Sequence, residues 1–116
     1  MARVTRSKPL PAASLHIVLA LLHGESHGYA LMRRVEELSD GAVRMGPGTL
    51  YGTLNRLLAD GLIVETTDDR PRDDSERRRY YRLTAEGERV ATSELARLRT
   101  LVNRLGGLGG FAGAQA

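Results

Sequence analysis

Three short stretches of this 116-residue chain hold residue types that could do chemistry. GESHG (24–28) fits the G-x-S-x-G pattern, which in hydrolases mounts a serine nucleophile on a tight strand-to-helix turn. His23 and His27 stand four residues apart, the spacing of two metal ligands on one helix face. GPGTLYGT (46–53) is glycine-rich, as loops that cradle phosphates are. Each fails on its own requirements. The catalytic histidine of such a hydrolase follows its serine with an acid between them, and no histidine follows His27. Gly24 breaks the helix between the two histidines, and the chain has no cysteine to assist a metal. The glycine-rich loop lacks the Gly-Lys-Ser/Thr that completes a nucleotide-binding loop. The residues therefore predict no catalytic centre, no cofactor and no metal.

A different chemistry emerges from the longer stretch RMGPGTLYGTLNRLLADGLI (44–63). At about 100° per residue, Leu50, Leu54, Leu57 and Leu58 gather on one side of a helix. Opposite them fall Gly48, Thr49, Gly52, Asn55, Arg56 and Ala59, with Tyr51 and Thr53 on the flanks. A surface helix normally fills such positions with Glu and Lys. Here the outward face is two glycines, a hydroxyl, an amide and a guanidinium. Thr and Asn can hydrogen-bond base edges or phosphates, and Arg56 can reach a phosphate or a guanine. Bare glycines let the backbone approach a large rigid partner, and the first-turn N–H groups can hold a phosphate. This face is expected to dock on DNA.

The elements that must carry this helix can be read around it. The length suits one domain with a single core. Only 4% of residues are aromatic and 41% are hydrophobic, a mix suited to packed helices. The net charge of +3 permits an anionic partner without demanding one. Residues 1–11 read as a loose basic arm. The apolar run LHIVLALL (15–22) resembles a signal peptide, but His16 interrupts it and the following HGESHG offers no cleavage site. It is also too short to span a bilayer, which takes about 20 apolar residues. A cytoplasmic protein is expected.

From Ala12, the residues Leu15, Val18, Leu19 and Leu22 predict a first amphipathic helix, closed by Gly24. Ser26 is expected to cap a second, with Leu31, Val35 and Leu38 inward and Gly41 at its end. The third runs from Pro47 to Asp60 and stops at Gly61. LIVETT (62–67) and RRYYRLT (78–84) then read as two strands of a hairpin around the charged tip DDRPRDDSER. Thr84 caps a fourth helix reaching Leu105, and the Gly/Ala-rich tail 106–116 reads as disordered. Three helices, a hairpin and a further helix form the layout of a winged helix-turn-helix, mainly α with a small β-hairpin. On this reading 12–83 is the DNA-binding domain and 84–105 the dimerisation helix.

The hairpin would act as the wing on the DNA backbone. Arg77, Arg78 and Arg79 at the foot of its second strand are the expected contacts, with Arg70 and Arg72 in the tip as weaker candidates. Asp68, Asp69, Asp73, Asp74 and Glu76 share that tip and cancel much of its charge. On the fourth helix, Ala91, Leu95, Leu98, Val102 and Leu105 alternate steps of four and three, the spacing of a seam that meets another helix. A homodimer with two recognition helices about 34 Å apart would read a palindromic operator.

HGYALMRRVEE, GPGTLYGTLNRLLADGLI and RRRYYRLTAEG, in this order and spacing, resemble the PadR family of bacterial transcriptional regulators, over roughly residues 12 to 105. The resemblance implies a winged-helix domain, a homodimer built through the C-terminal helix, and repression relieved by a small molecule. The single helix after the wing is similar to the short-tailed branch of that family. Thr49 and Tyr51 match its TLY segment, and His27, Gly28 and Tyr29 match the start of its second helix. Tyr29 would then reach a phosphate through its hydroxyl, or else pack between helices. This chain departs from the pattern at Gly52, where relatives often carry proline, and at Ser75-Glu76, where they carry a glycine. It has no tryptophan, and Leu98 stands about where some relatives stack flat drugs between tryptophans, so a pocket of that type is not expected. The alternative is the same dimeric winged helix used as a protein-interaction module, which the modest charge and acidic wing tip keep open.

Overall fold

The structure, a computed structural model, describes residues 8–67 and 79–106. Its elements run α1 (Ala12–Leu21), β1 (Ser26–His27), α2 (Gly28–Leu38), α3 (Pro47–Ala59), β2 (Ile63–Thr67), β3 (Arg79–Leu83) and α4 (Ala85–Leu105). β1, β3 and β2 form one antiparallel sheet in that spatial order. Ser26 lies opposite Tyr81 and His27 opposite Tyr80, while Ile63 to Thr67 pair with Leu83 back to Arg79. The expected two-stranded hairpin is therefore the larger part of a three-stranded sheet. The molecule is mainly helical with a small sheet, and α4 follows the sheet as expected.

One core serves all the elements. Ile17, Val18 and Leu21 of α1 meet Leu31 and Val35 of α2 and Leu50, Leu54 and Leu57 of α3. Ile63, Tyr81 and Leu83 close it from the sheet and Ala91 from α4. α1 is apolar on nearly every side, so its periodicity cannot say which side turns inward. The side buried is Ile17, Val18 and Leu21, while Leu15 and Leu19 are half-buried and Leu22 is exposed. Leu38, expected inward on α2, is also exposed.

Local chemistry sets the helix ends. Ser26 is not the cap of α2. Its side chain is buried in β1, and the His27 ring accepts the Ala30 N–H at 3.4 Å in its place. α2 ends at Leu38, ahead of the expected Gly41, with Asp40 in the left-handed region (φ 53°) and Gly41 following at φ 82°. Ser39 braces that turn, donating to the Val35 carbonyl at 2.9 Å and accepting from the Val43 N–H at 2.9 Å. α3 ends as its sequence demands. Gly61 takes φ 76°, and its N–H and that of Leu62 return to the carbonyls of Leu58 and Leu57, the bonding of a Schellman cap. Thr84 caps α4 by accepting the Gly87 N–H at 2.9 Å and donates its own hydroxyl to the Gly61 carbonyl at 2.8 Å. Those two bonds tie the start of α4 to the end of α3.

Candidate nucleic-acid interface

The inward leucines of α3 dictate what the helix shows outside. With Leu50, Leu54 and Leu57 buried, Gly48, Thr49, Tyr51, Gly52, Asn55 and Arg56 are all exposed. Ala59 is exposed as well, so all six residues expected opposite the leucines lie on the outer surface, with Tyr51 beside them from the flank. At its entrance Gly46 occupies the N-cap with no side-chain bond, and Pro47 has no N–H to offer. The amides of Gly48 and Thr49 are among the first-turn donors for which a helix has no internal partner. Together with the helix dipole they make this end attractive to an anion.

The glycines of this face are not required by the fold. A Cβ at Gly46, Gly48 or Gly52 would meet nothing within 4 Å, and none of the three has a left-handed φ. Glycine inside a helix costs about 0.5–1 kcal/mol relative to alanine. The bare surface therefore weakens the helix without relieving any crowding within the chain.

Tyr29, the second residue of α2, is 68% exposed, so it projects to solvent and does not pack between helices. Tyr51 is 43% exposed, and its hydroxyl end lies over Gly28 at the start of α2. Arg79 at the head of β3 is exposed, yet its Nε sits 3.3 Å from a carboxylate oxygen of Glu65 on β2. Burial pushes the Tyr81 hydroxyl above its ordinary value of 10.0, with Glu65 and Tyr51 adding to the effect and Arg79 opposing it. Arg77, Arg78, Arg70, Arg72 and the acidic tip lie outside the described residues, as do residues 1–7 of the arm and 107–116 of the tail.

The rejected chemistries also have their geometry. The Ser26 hydroxyl is buried and bonds the His27 carbonyl at 3.3 Å. The His27 ring caps α2 and meets Tyr80 edge to face at 5.5 Å. Among the described residues no group of three His, Cys, Asp or Glu could hold a metal, and no helix is long and apolar enough to cross a membrane.

The seam on α4 divides in two. Ala91 is fully buried in the chain's own core, which removes it from any intermolecular surface. The reason is the close seating of the first turns of α4 on α1 and β3, where Gly87 lies against the Leu62 carbonyl and Ala91 faces inward. Beyond Glu94, Leu95, Val102 and Leu105 are exposed and Leu98 is half-buried. Leu101, which the expected seam omits, is also exposed, three residues after Leu98 and four before Leu105. The free stripe thus spans residues 95–105, about 15 Å of helix at 1.5 Å per residue. Glu94 is 6% exposed, a buried carboxylate in an amphipathic helix that periodicity does not flag; Arg97 holds it at 2.7 Å.

Comparison with known proteins bears on this arrangement. A model of the transcriptional regulator PadR-like family matches residues 18–93. Transcriptional regulator Rv3488 of Mycobacterium tuberculosis is 40% identical over 103 residues, covering 88% of this chain and 91% of that protein. A PadR family transcription regulator from Clostridium difficile R20291 superposes with a TM-score of 0.71 at 24% identity, over 83% of this chain and 96% of that one. The crystal structure of Bacillus subtilis PadR in complex with operator DNA superposes with a TM-score of 0.64 at 21% identity. It is matched over 73% of this chain and 47% of that longer one.

Proposed function

This chain belongs to the PadR-like family of transcriptional regulators, which are not enzymes, and on that premise we propose that it is a repressor that binds a palindromic operator as a homodimer. α3 enters the major groove with Thr49, Asn55 and Arg56 toward base edges and phosphates. Gly48 and Gly52 let the helix seat deeply, and Tyr29 and Tyr51 flank it with their hydroxyls. The β2–β3 wing lies along the backbone through Arg79, continued by Arg77 and Arg78. Leu95, Leu98, Val102 and Leu105, joined by Leu101, form the seam between protomers, leaving 12–83 to hold the DNA and 84–105 to pair. A small molecule releases the operator, and the protein works in the cytoplasm.

The observation that carries this reading is the outward face of α3, whose glycines weaken the helix and relieve no contact in the fold. A partner that must come close to the backbone explains such a face. The operator-bound Bacillus subtilis PadR, of similar fold, supports DNA as that partner.

The test is fluorescence anisotropy of the purified protein on the DNA upstream of its own gene, at two salt concentrations and with excess non-specific competitor. Tight binding that resists competitor is expected, with a log–log salt slope of about 0.9 per phosphate contacted. Binding abolished by competitor, with no preferred site in a random library, would instead make the chain a dimeric adaptor for another protein. The pairing of Arg79 with Glu65 is the feature that favours that second reading, because it offsets a wing cation.

A further inference from the structure

The contact between Gly28 and Tyr51 assigns a role to a residue that touches no DNA in the reading above, and it rests on that reading. Gly28 is the first residue of α2, is buried and has ordinary helical backbone, so its conformation does not call for glycine. Its space does. A Cβ there would overlap the Tyr51 hydroxyl, approach the ring carbon bearing it to 3.0 Å, and meet Leu50 at 3.4 Å. The two members of this contact differ in freedom. Gly28 directly follows β1, whose residues Ser26 and His27 pair with Tyr81 and Tyr80, and the His27 ring caps its helix. The backbone of Tyr51 is fixed by its buried neighbours Leu50 and Leu54, yet the residue is 43% exposed and its ring turns on two side-chain bonds. Any crowding at position 28 is therefore relieved by swinging the phenol outward, onto the face that α3 presents.

We infer that Gly28 is a positioning residue for DNA recognition: it forms the seat that holds the Tyr51 phenol between α2 and α3 and keeps the outward face of α3 clear. The seat links the two helices of the helix-turn-helix at the point where both enter the interface. A side chain at 28 would place a bulky ring among Gly48, Gly52 and Asn55, where the backbone must approach the groove. Sequence-specific contacts depend on that approach; non-specific attraction to phosphates depends on charge and does not.

The experiment compares Gly28→Ala in two backgrounds, the natural chain and Tyr51→Leu, reading thermal stability, operator affinity and affinity for a scrambled duplex. In the natural background Gly28→Ala should lower operator affinity about tenfold, a size usual for coupling between residues in contact, and leave scrambled-duplex affinity unchanged. In the Tyr51→Leu background the same change should cost little further. An equal loss in both backgrounds, or an unchanged ratio of operator to scrambled affinity, would overturn the inference while leaving the DNA-binding reading intact. If Gly28→Ala fails to fold alone but folds when combined with Tyr51→Leu, the seat is supported; failure in both backgrounds refutes it. A natural protein with no operator preference would sink the DNA reading and this inference together.

Discussion

Gly87 of α4 passes so close to the Leu62 carbonyl at the head of β2 that a Cβ on it would overlap the oxygen. The same carbonyl accepts the Thr84 N–H at 3.0 Å, so it cannot move aside without breaking the junction of α3, β2 and α4. Here glycine serves the fold, whereas on the outer face of α3 it does not. Gly87→Ala should destabilise the protein by about 3 kcal/mol, the upper end of overpacking costs. Chemical denaturation measures it, and a loss under about 0.5 kcal/mol, no more than an ordinary surface substitution, would show that α4 sits farther from the sheet.

Gly52→Ala should act in the opposite direction on stability. Open space surrounds the added methyl, and alanine gains about 0.5–1 kcal/mol over glycine in a helix. Operator affinity should nevertheless fall, because the methyl stands where the groove must come close. A variant both more stable and equally tight on operator would mean that the bare face is not a docking surface.

Tyr81 predicts the alkaline limit of stability. Burial first, then Glu65 and Tyr51, raise its folded-state pKa above the ordinary value of 10.0. The unfolded chain therefore loses this proton first, which favours unfolding. The contribution is fully present below about pH 10 and is lost as pH rises through the higher folded value. Tyr81→Phe should flatten the fall of unfolding free energy with pH above about 10 and leave the profile below about pH 9 parallel to that of the natural chain. Indistinguishable slopes on the alkaline side would contradict a buried phenol.

The α4 seam separates two functions along one helix. Val102→Glu should leave the domain folded, since Val102 is half exposed in the single chain, and shift the mass seen by light scattering to that of a monomer. Operator affinity should drop with it. Ala91→Leu should instead overpack the core, costing about 1–3 kcal/mol, and leave the oligomeric state unchanged. A monomeric natural chain at micromolar concentration would remove the dimer from the proposal.

The parts of this protein legible in its sequence are those governed by neighbours along the chain. Leucines at 50, 54 and 57 specify which side of α3 turns in, and so which side carries Gly48, Thr49, Gly52, Asn55 and Arg56, because helical spacing alone sets that division. Gly61 ends α3 and Thr84 starts α4 through hydrogen bonds within a few residues. Tertiary structure decided the rest, in each case because the deciding contact comes from far along the chain. Ser26 and His27 are too few to show a strand period, and they become β1 only beside Tyr81 and Tyr80. α1 is apolar all round, so its inward side is chosen by what packs on it. Ala91 and Leu98 share one stripe in the sequence. Only the place where α4 leaves α1 and the sheet puts the first wholly in the core and leaves the second half-buried at the start of the free stripe.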